Sequence, residues 1–237
     1  MPRVTVNGWK FLYRQAGTGP DVVLLPGASR VASSRRLFDA LVPDFRVTVY
    51  QPRIGPVNGV SSADVADDFH ALRAKLGLGS CYVVAHGAAS VAALHAAVLY
   101  PDSVAGIVLT EPRLPKARHE TAAGTRSALT TRRIVLIDQP VFVLHPPESS
   151  ALPLCHFLAA HLPRCKVALA SEDPDQYVAS IQEALRKLAA VFREVEVAGA
   201  NRATTSGPRG LLARAWPDAR DGRAISRWMA RLSAWGF

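Results

Sequence analysis

Residues 81–90, with the sequence CYVVAHGAAS, constrain the fold more than any other part of the chain. The apolar run at the start has the length and composition of a strand that is buried on both faces. Three small residues follow and permit a tight turn, and the alanine-rich segment at 91–100 is a good helix former. A strand joined so directly to a helix favours an α/β fold with a parallel sheet.

The same alternation continues along the chain. Each predicted helix shows apolar residues at helical spacing, and most predicted strands are short apolar runs bounded by proline, glycine or polar residues. The predicted strands are 4–6, 10–15, 21–25, 45–50, 81–85, 104–110, 141–145 and 166–170, and the predicted helices are 33–41, 63–76, 91–100, 150–161 and 175–192. We therefore expect a doubly wound, mostly parallel sheet with helices on both faces. Residues 113–133 are polar and aperiodic, so we expect a short insertion there and little or no cap domain.

Composition is consistent with a cytoplasmic globular protein. The 237 residues suffice for one α/β domain, which we place at residues 1–199. No apolar run is long enough to span a membrane, and the N-terminus resembles a strand more than a signal peptide. The three cysteines have no metal-binding or redox spacing, which indicates free thiols in a reducing compartment.

Residues 200–237 differ from the rest. They hold seven arginines and two aspartates, which account for five of the nine net positive charges. Residues 200–210 have the composition of a linker, and 224–235 have the pattern of a basic amphipathic helix. That helix could dock on the domain or make a weak membrane-surface or protein contact, and an arginine-rich tail can also arise from a shifted reading frame. Because the basic charge belongs mainly to this tail, we expect no nucleic-acid partner.

Five blocks in order resemble the α/β-hydrolase family, most closely its small bacterial members. They are GTGP at 17–20, VVLLPG at 22–27, VYQPR at 49–53, YVVAHG at 82–87 and YPDSVAGIVLTEP at 100–112. In this family a G-x-S-x-G turn exposes the nucleophilic serine between a strand and a helix. Aligned on that pattern, Gly87 takes the place of the nucleophile. A glycine has no side chain with which to attack a carbonyl carbon.

The resemblance also implies places for the other catalytic groups. The acid follows strand 7, where this chain offers Glu148 in a displaced position, and the histidine follows strand 8, where residues 169–175 contain none. The oxyanion loop after strand 3 corresponds to Gly27 and Ala28, whose backbone N–H groups suit that role, together with Ala88 after the elbow. Ser29, in the same loop, could bind a ligand carbonyl or simply bond to its own turn.

Other polar residues are expected at the carboxyl edge of the sheet, where ligands bind in open α/β folds. Glu111 follows strand 6 and His145 follows strand 7, so either could act as a general base. Glu111 could instead have a structural role, such as capping nearby backbone N–H groups. We interpret His86 as a packed or hydrogen-bonded structural histidine, and Ser90 as facing down its helix.

The sequence thus predicts a hydrolase-like pseudoenzyme with a degenerate triad that is not a conventional serine hydrolase. It would bind a small apolar or carbonyl ligand, or a protein partner. The alternative is an unconventional hydrolase, lyase or cyclase that acts on a small ester or carbonyl metabolite through Glu111 or His145. A third possibility is an ordinary esterase whose histidine lies elsewhere. The sequence contains no nucleotide-binding motif and no ligand-like histidine spacing, so we expect no cofactor and no metal.

Overall fold

The computed structural model describes residues 1–25, 31–51, 60–113 and 129–200, with the backbone alone at 31–34 and 191–200. Its internal contacts divide the chain into two compact units, Met1–Leu188 and Ala189–Phe237. The predicted domain boundary between residues 199 and 200 stays a prediction. The predicted helix at 224–235 lies outside the described residues, as does most of the predicted insertion at 113–133.

Eight strands form a single sheet within the described ranges, in the spatial order β1-β2-β4-β3-β5-β6-β7-β8. The strands are β1 (Arg3–Val6), β2 (Trp9–Ala16), β3 (Asp21–Leu24), β4 (Arg46–Tyr50), β5 (Cys81–His86), β6 (Val104–Thr110), β7 (Val141–His145) and β8 (Cys165–Leu169). β1 and β2 are antiparallel to their neighbours, and all other pairs are parallel. The predicted doubly wound, mostly parallel sheet is confirmed.

Helices connect the parallel strands. They are α1 (Val31–Leu41), α2 (Ser62–Lys75), α3 (Ala89–Leu99), α4 (Thr131–Ile134), α5 (Leu152–His161) and α6 (Pro174–Ala200), with a single 3-10 turn at Pro101–Ser103. α6 extends eight residues beyond the predicted end at 192. The added residues are mostly arginine, glutamate, valine and alanine, and they contain no proline, so nothing in the sequence ends the helix before Gly199.

The sheet is covered on both faces. Val83 and Ile107 share one core cluster with residues of α2, α3 and α5. On the opposite face a Cβ at Gly106 would lie 3.3 Å from Leu188 of α6, because successive residues of a strand point to opposite sides. The Nε2 of Gln182 in α6 donates to the carbonyl oxygen of Ala40 in α1 over 2.6 Å. α1 and α6 therefore cover the second face, and every residue of the central strand β6 is buried.

No helix among the described residues is long and apolar enough to cross a membrane.

Candidate functional site

The turn between β5 and α3 forms a sharp elbow at the carboxyl edge of the sheet. Gly87 has a φ of +59°, a backbone conformation in which residues with side chains are strained. Ala88 follows in a helical conformation and is exposed, without a side chain that could cap α3. Gly87 is buried, and a Cβ built on it would meet no atom of the described residues within 4 Å. The described residues therefore leave room for a small side chain at this position.

Three backbone hydrogen bonds hold Gly87 in place. Its N–H donates to the carbonyl oxygen of Thr110 over 3.0 Å. Its carbonyl oxygen accepts from the N–H of Ser90 at 3.2 Å and from the N–H of Arg113 at 3.1 Å. Because these partners come from α3 and from the end of β6, the elbow is fixed to both neighbouring elements.

Glu111, the first residue after β6, has the second unusual backbone conformation at this edge. Its φ is +45°, and its N–H donates to the carbonyl oxygen of Leu144 over 2.9 Å. Its carboxylate lies 3.5 Å from Nη2 of Arg113, and its side chain is 25% exposed. A non-glycine residue in this region of φ costs about 1–3 kcal/mol and is found more often at functional sites than elsewhere. Glu111 is thus a strained, accessible carboxylate beside the elbow.

His86 is half-buried and bonded to the end of β6. Its Nδ1 lies 3.1 Å from Oγ1 of Thr110, and the Thr110 hydroxyl donates to the carbonyl oxygen of Ala85 over 3.4 Å. In this arrangement Nδ1–H of the histidine is the donor and the threonine oxygen accepts. The structure is consistent with the interpretation of His86 as a hydrogen-bonded histidine. Ser90 is buried, and among the described residues its Oγ meets no hydrogen-bond partner.

His145 and Glu148, the other predicted acid–base residues, are not brought together. His145 is 4% exposed at the end of β7, and its Nδ1–H donates to the carbonyl oxygen of Pro146 over 2.8 Å. Glu148 is exposed in the turn that follows. Within the described ranges no hydrogen bond or ion pair joins His145 to Glu148 or to Glu111.

Tyr177 is a residue near this edge of the sheet that the sequence analysis did not single out. It lies in the first turn of α6, and its hydroxyl is buried. Burial raises the pKa of the Tyr177 phenol to about 12, a side-chain hydrogen bond with Thr110 lowers this pKa, and the negative charge of Glu111 raises it.

The start of α6 fixes the position of Tyr177. Oδ1 of Asp173 accepts from the N–H groups of Asp175 and Gln176 over 3.1 and 3.0 Å, and Pro174 occupies the first helical position. An aspartate cap followed by proline is a strong helix start. The N–H of Tyr177 also donates to the carbonyl oxygen of Asp173 over 2.8 Å. The Asp-Pro pair at 173–174 therefore marks the start of α6 in the sequence, and the start of this helix sets the position of Tyr177.

Two further predictions concern ligands. Gly27, Ala28 and Ser29, the predicted oxyanion and ligand-binding loop, lie outside the described residues. In the described part of the chain, no group of three or more histidine, cysteine, aspartate or glutamate side chains could hold a metal ion.

A cavity of about 120 Å³ lies on the face covered by α6, between that helix and the last two strands. Its polar lining comes from Lys166, Ser180, Glu183 and Lys187. Glu183 and Lys187 form an ion pair of 2.7 Å one helical turn apart. Burial, followed by the charge of Lys187, lowers the pKa of Lys166. Neither Gly87 nor Glu111 lines this cavity, so it is separate from the elbow.

The strand order, the crossovers and the elbow define an α/β protein with a doubly wound, mostly parallel sheet. Residues 25–187 match the family described as alpha/beta hydrolase fold, and the chain belongs to that family. No curated protein sequence matches the chain.

Solved structures share the fold at low sequence identity. An alpha/beta hydrolase from Sphaerobacter thermophilus is 17% identical, with a TM-score of 0.63 over 77% of this chain and 99% of that one. A thermophilic esterase from Thermogutta terrifontis is 18% identical, with a TM-score of 0.66 over 79% and 99%. An N-formylmaleamic acid deformylase from Pseudomonas putida is 16% identical, with a TM-score of 0.59 over 72% and 92%.

Proposed function

We propose that this chain is an α/β-hydrolase-fold protein that does not use the serine-hydrolase mechanism and that binds a small carbonyl ligand beside the elbow. The observation that carries the proposal is Gly87 itself. The elbow has a positive φ, and the described residues leave room for a side chain there, but the residue itself has none. Without an attacking atom, no covalent acyl-enzyme can form at this position.

The neighbouring positions support the same conclusion. The loop between β8 and α6, residues 170–173, contains no histidine. His145 is buried, and its Nδ1–H is committed to Pro146. Triad members act as a unit, and loss of one costs several orders of magnitude in rate. Restoring a serine alone would therefore leave the hydroxyl without a base.

The ligand is inferred from the groups at the same edge. Glu111 supplies a partly exposed carboxylate next to a guanidinium, and no atom of the described residues lies within 4 Å of a Cβ built on Gly87. Binding pockets combine apolar walls with a few placed polar groups, which suits a small molecule that carries a carbonyl group. A protein partner and a cytoplasmic location remain further proposals, and the predicted helix at 224–235 would supply the surface for such a partner.

Ester turnover tests the proposal. We expect p-nitrophenyl acetate to be hydrolysed by the wild type no faster than in a matched solution of inactive protein. Gly87→Ser should also remain inactive, because the serine would lack a base. Gly77→Ser is the matched control, since Gly77 also has a positive φ (+65°) and no described atom within 4 Å of a built Cβ, but it precedes β5, whereas the elbow follows that strand. Saturable turnover by the wild type would contradict the proposal.

The second candidate function is an unconventional enzyme in which Glu111 is the base. The strained φ of +45° and the partial exposure of its carboxylate favour it over the buried His145. Ring opening of 5-nitrobenzisoxazole needs only a positioned base, so it reports such a carboxylate without a known substrate. If Glu111 is the base, Glu111→Gln should abolish the protein-dependent rate with Tm unchanged. An equal rate in the variant rejects this candidate.

A further inference from the structure

The cavity of about 120 Å³ between α6 and the last two strands is built by one face of each element. Phe142 of β7 is paired with Lys166 of β8, and Leu144 is paired with Ala168, so these four lining side chains share one face of the sheet. The lining residues from α6 lie on a single helical face and are Ser180, Glu183, Ala184 and Lys187. All of these residues belong to the same compact unit, Met1–Leu188.

The cavity has an apolar floor and a charged rim. Leu144 and Ala184 are buried. The side chains of Glu183 and Lys187 are 65% and 39% exposed, so a molecule from solvent can reach the cavity beside them. A floor and a rim of this kind complement a ligand with one apolar end and one polar end.

The charges of the lining are not balanced. Lys166 and Lys187 carry two positive charges, whereas Glu183 supplies one negative charge and pairs with Lys187 at 2.7 Å. Burial and then the charge of Lys187 lower the pKa of Lys166, while the charge of Glu183 raises it. The two ammonium groups thus repel each other across the cavity. A bound anion would balance the excess positive charge and reduce this repulsion.

The hydrogen-bond donors of the lining also favour an anion. The Ser180 hydroxyl donates to the carbonyl oxygen of Gln176 over 2.9 Å. An ammonium group has three N–H donors and no acceptor, so Lys166 and Lys187 can each donate to an oxygen of a ligand. Such charge-assisted hydrogen bonds are stronger with a carboxylate than with a neutral carbonyl group.

We propose that this cavity binds a short-chain monocarboxylate, with its carboxylate on Lys166 and Lys187 and its alkyl chain against Phe142 and Leu144. An apolar cavity of about 150 Å³ can hold benzene, so a cavity of about 120 Å³ suits a chain of about four carbon atoms. This ligand site is additional to the function proposed above and does not depend on it, because neither Gly87 nor Glu111 lines the cavity.

Calorimetric titration of the full-length chain with sodium butyrate tests the proposal. We expect saturable binding to the wild type, and weaker binding of butyramide, which has nearly the same shape without the charge. Lys166→Met should weaken butyrate binding about tenfold, because a hydrogen bond to a charged group is lost. Lys75→Met is the matched control, since it removes the same charge at an exposed position of α2 outside the cavity and should leave the affinity nearly unchanged.

Glu183→Gln should have the opposite effect. It removes the carboxylate that competes with the ligand for Lys187, so butyrate binding should tighten by up to about fivefold. Because the Glu183 side chain is 65% exposed, this variant should fold, and its result decides the matter if Lys166→Met does not fold.

Three results would overturn the proposal. They are absence of butyrate binding to the wild type, equal affinity for butyrate and butyramide, and equal butyrate affinity in the wild type and both cavity variants. None of these results bears on the mechanism proposed at the elbow, which is read from ester turnover.

Discussion

Individual backbone angles at the elbow show where sequence reasoning reaches its limit. The missing nucleophile at Gly87 could be found from the sequence, because a strand, a turn and a helix locate the position by order alone. The φ of +45° at Glu111 could not. The N–H of Glu111 donates to the carbonyl oxygen of Leu144, and the N–H of Arg113 donates to the carbonyl oxygen of Gly87. These hydrogen bonds hold Glu111 in its conformation, and they join segments that are separated in the chain. Such contacts leave no local pattern in the sequence.

His70 gives a prediction for pH. Its Nδ1 lies 2.9 Å from Oγ of Ser103, and its ring stacks on Tyr100 with centroids 4.0 Å apart. Burial first, and then the positive charge of Arg73, lower the pKa of His70, while Asp67 raises it. The unfolded chain, with a pKa of about 6.5, therefore takes up the proton more readily than the folded one.

The stabilising contribution of neutral His70 is thus present above pH ~6.5 and is lost as pH falls through the lower pKa of the folded state. We expect His70→Gln to flatten the loss of Tm between pH 7.5 and pH 5 relative to the wild type. Thermal melts across that range measure it. Parallel curves for the two proteins would show that His70 does not contribute to the pH dependence.

At the scale of elements, the apolar runs predicted the strands of the sheet because strands buried on both faces need continuous apolar sequence. Asn7-Gly8, a dipeptide typical of two-residue hairpin turns, joins the first two strands, with both residues at positive φ and Val6 paired with Trp9. The predicted end of α6 was wrong, because apolar periodicity fades before the helix ends. Arginine, glutamate and alanine, all good helix formers, make up five of the eight added residues that continue it to Ala200.

The neighbouring strands β3 and β4 share a testable ion pair in which the carboxylate is buried and the guanidinium is 39% exposed. Asp21, 8% exposed, accepts from Nε and Nη2 of Arg46 and from the N–H of Gly79. We expect Asp21→Asn to lower the free energy of unfolding by about 2 kcal/mol, because hydrogen bonds to a charged group are lost in a buried place.

Asp39→Asn provides the control in urea unfolding. Asp39 pairs with Arg14 at 3.2 Å, but both side chains are about half exposed, at 52% and 42%. Exposed pairs of this kind contribute about 0–1 kcal/mol. Equal losses for the two variants would mean that the Asp21 pair contributes no more than a surface pair.

At the scale of the whole molecule, the family could be predicted from the order of the sequence blocks, and the match over residues 25–187 shows it. Strand order follows from the family, since no local pattern specifies which strands are neighbours. Tyr177 illustrates what is missing from such reasoning. Its relation to Thr110 and Glu111 depends on how α6 crosses the sheet, which one sequence does not reveal.

The proposed boundary between residues 199 and 200 can be tested by truncation. If residues 1–199 are the folding domain, a chain ending at Ala200 should unfold cooperatively and keep the far-ultraviolet circular dichroism of its helices and strands. The full-length chain is the control. A truncated chain that fails to fold would show that the domain includes part of 201–237.

The central claim is that no nucleophile operates at the elbow, and labelling by a fluorophosphonate tests it most directly. Such probes react with an activated serine and report activity without knowledge of the substrate. After incubation of the wild-type protein with a large excess of probe, intact-mass spectrometry should find only the unmodified chain. A stoichiometric adduct on a serine would contradict the account if it fails to form when the protein is heat-denatured before labelling.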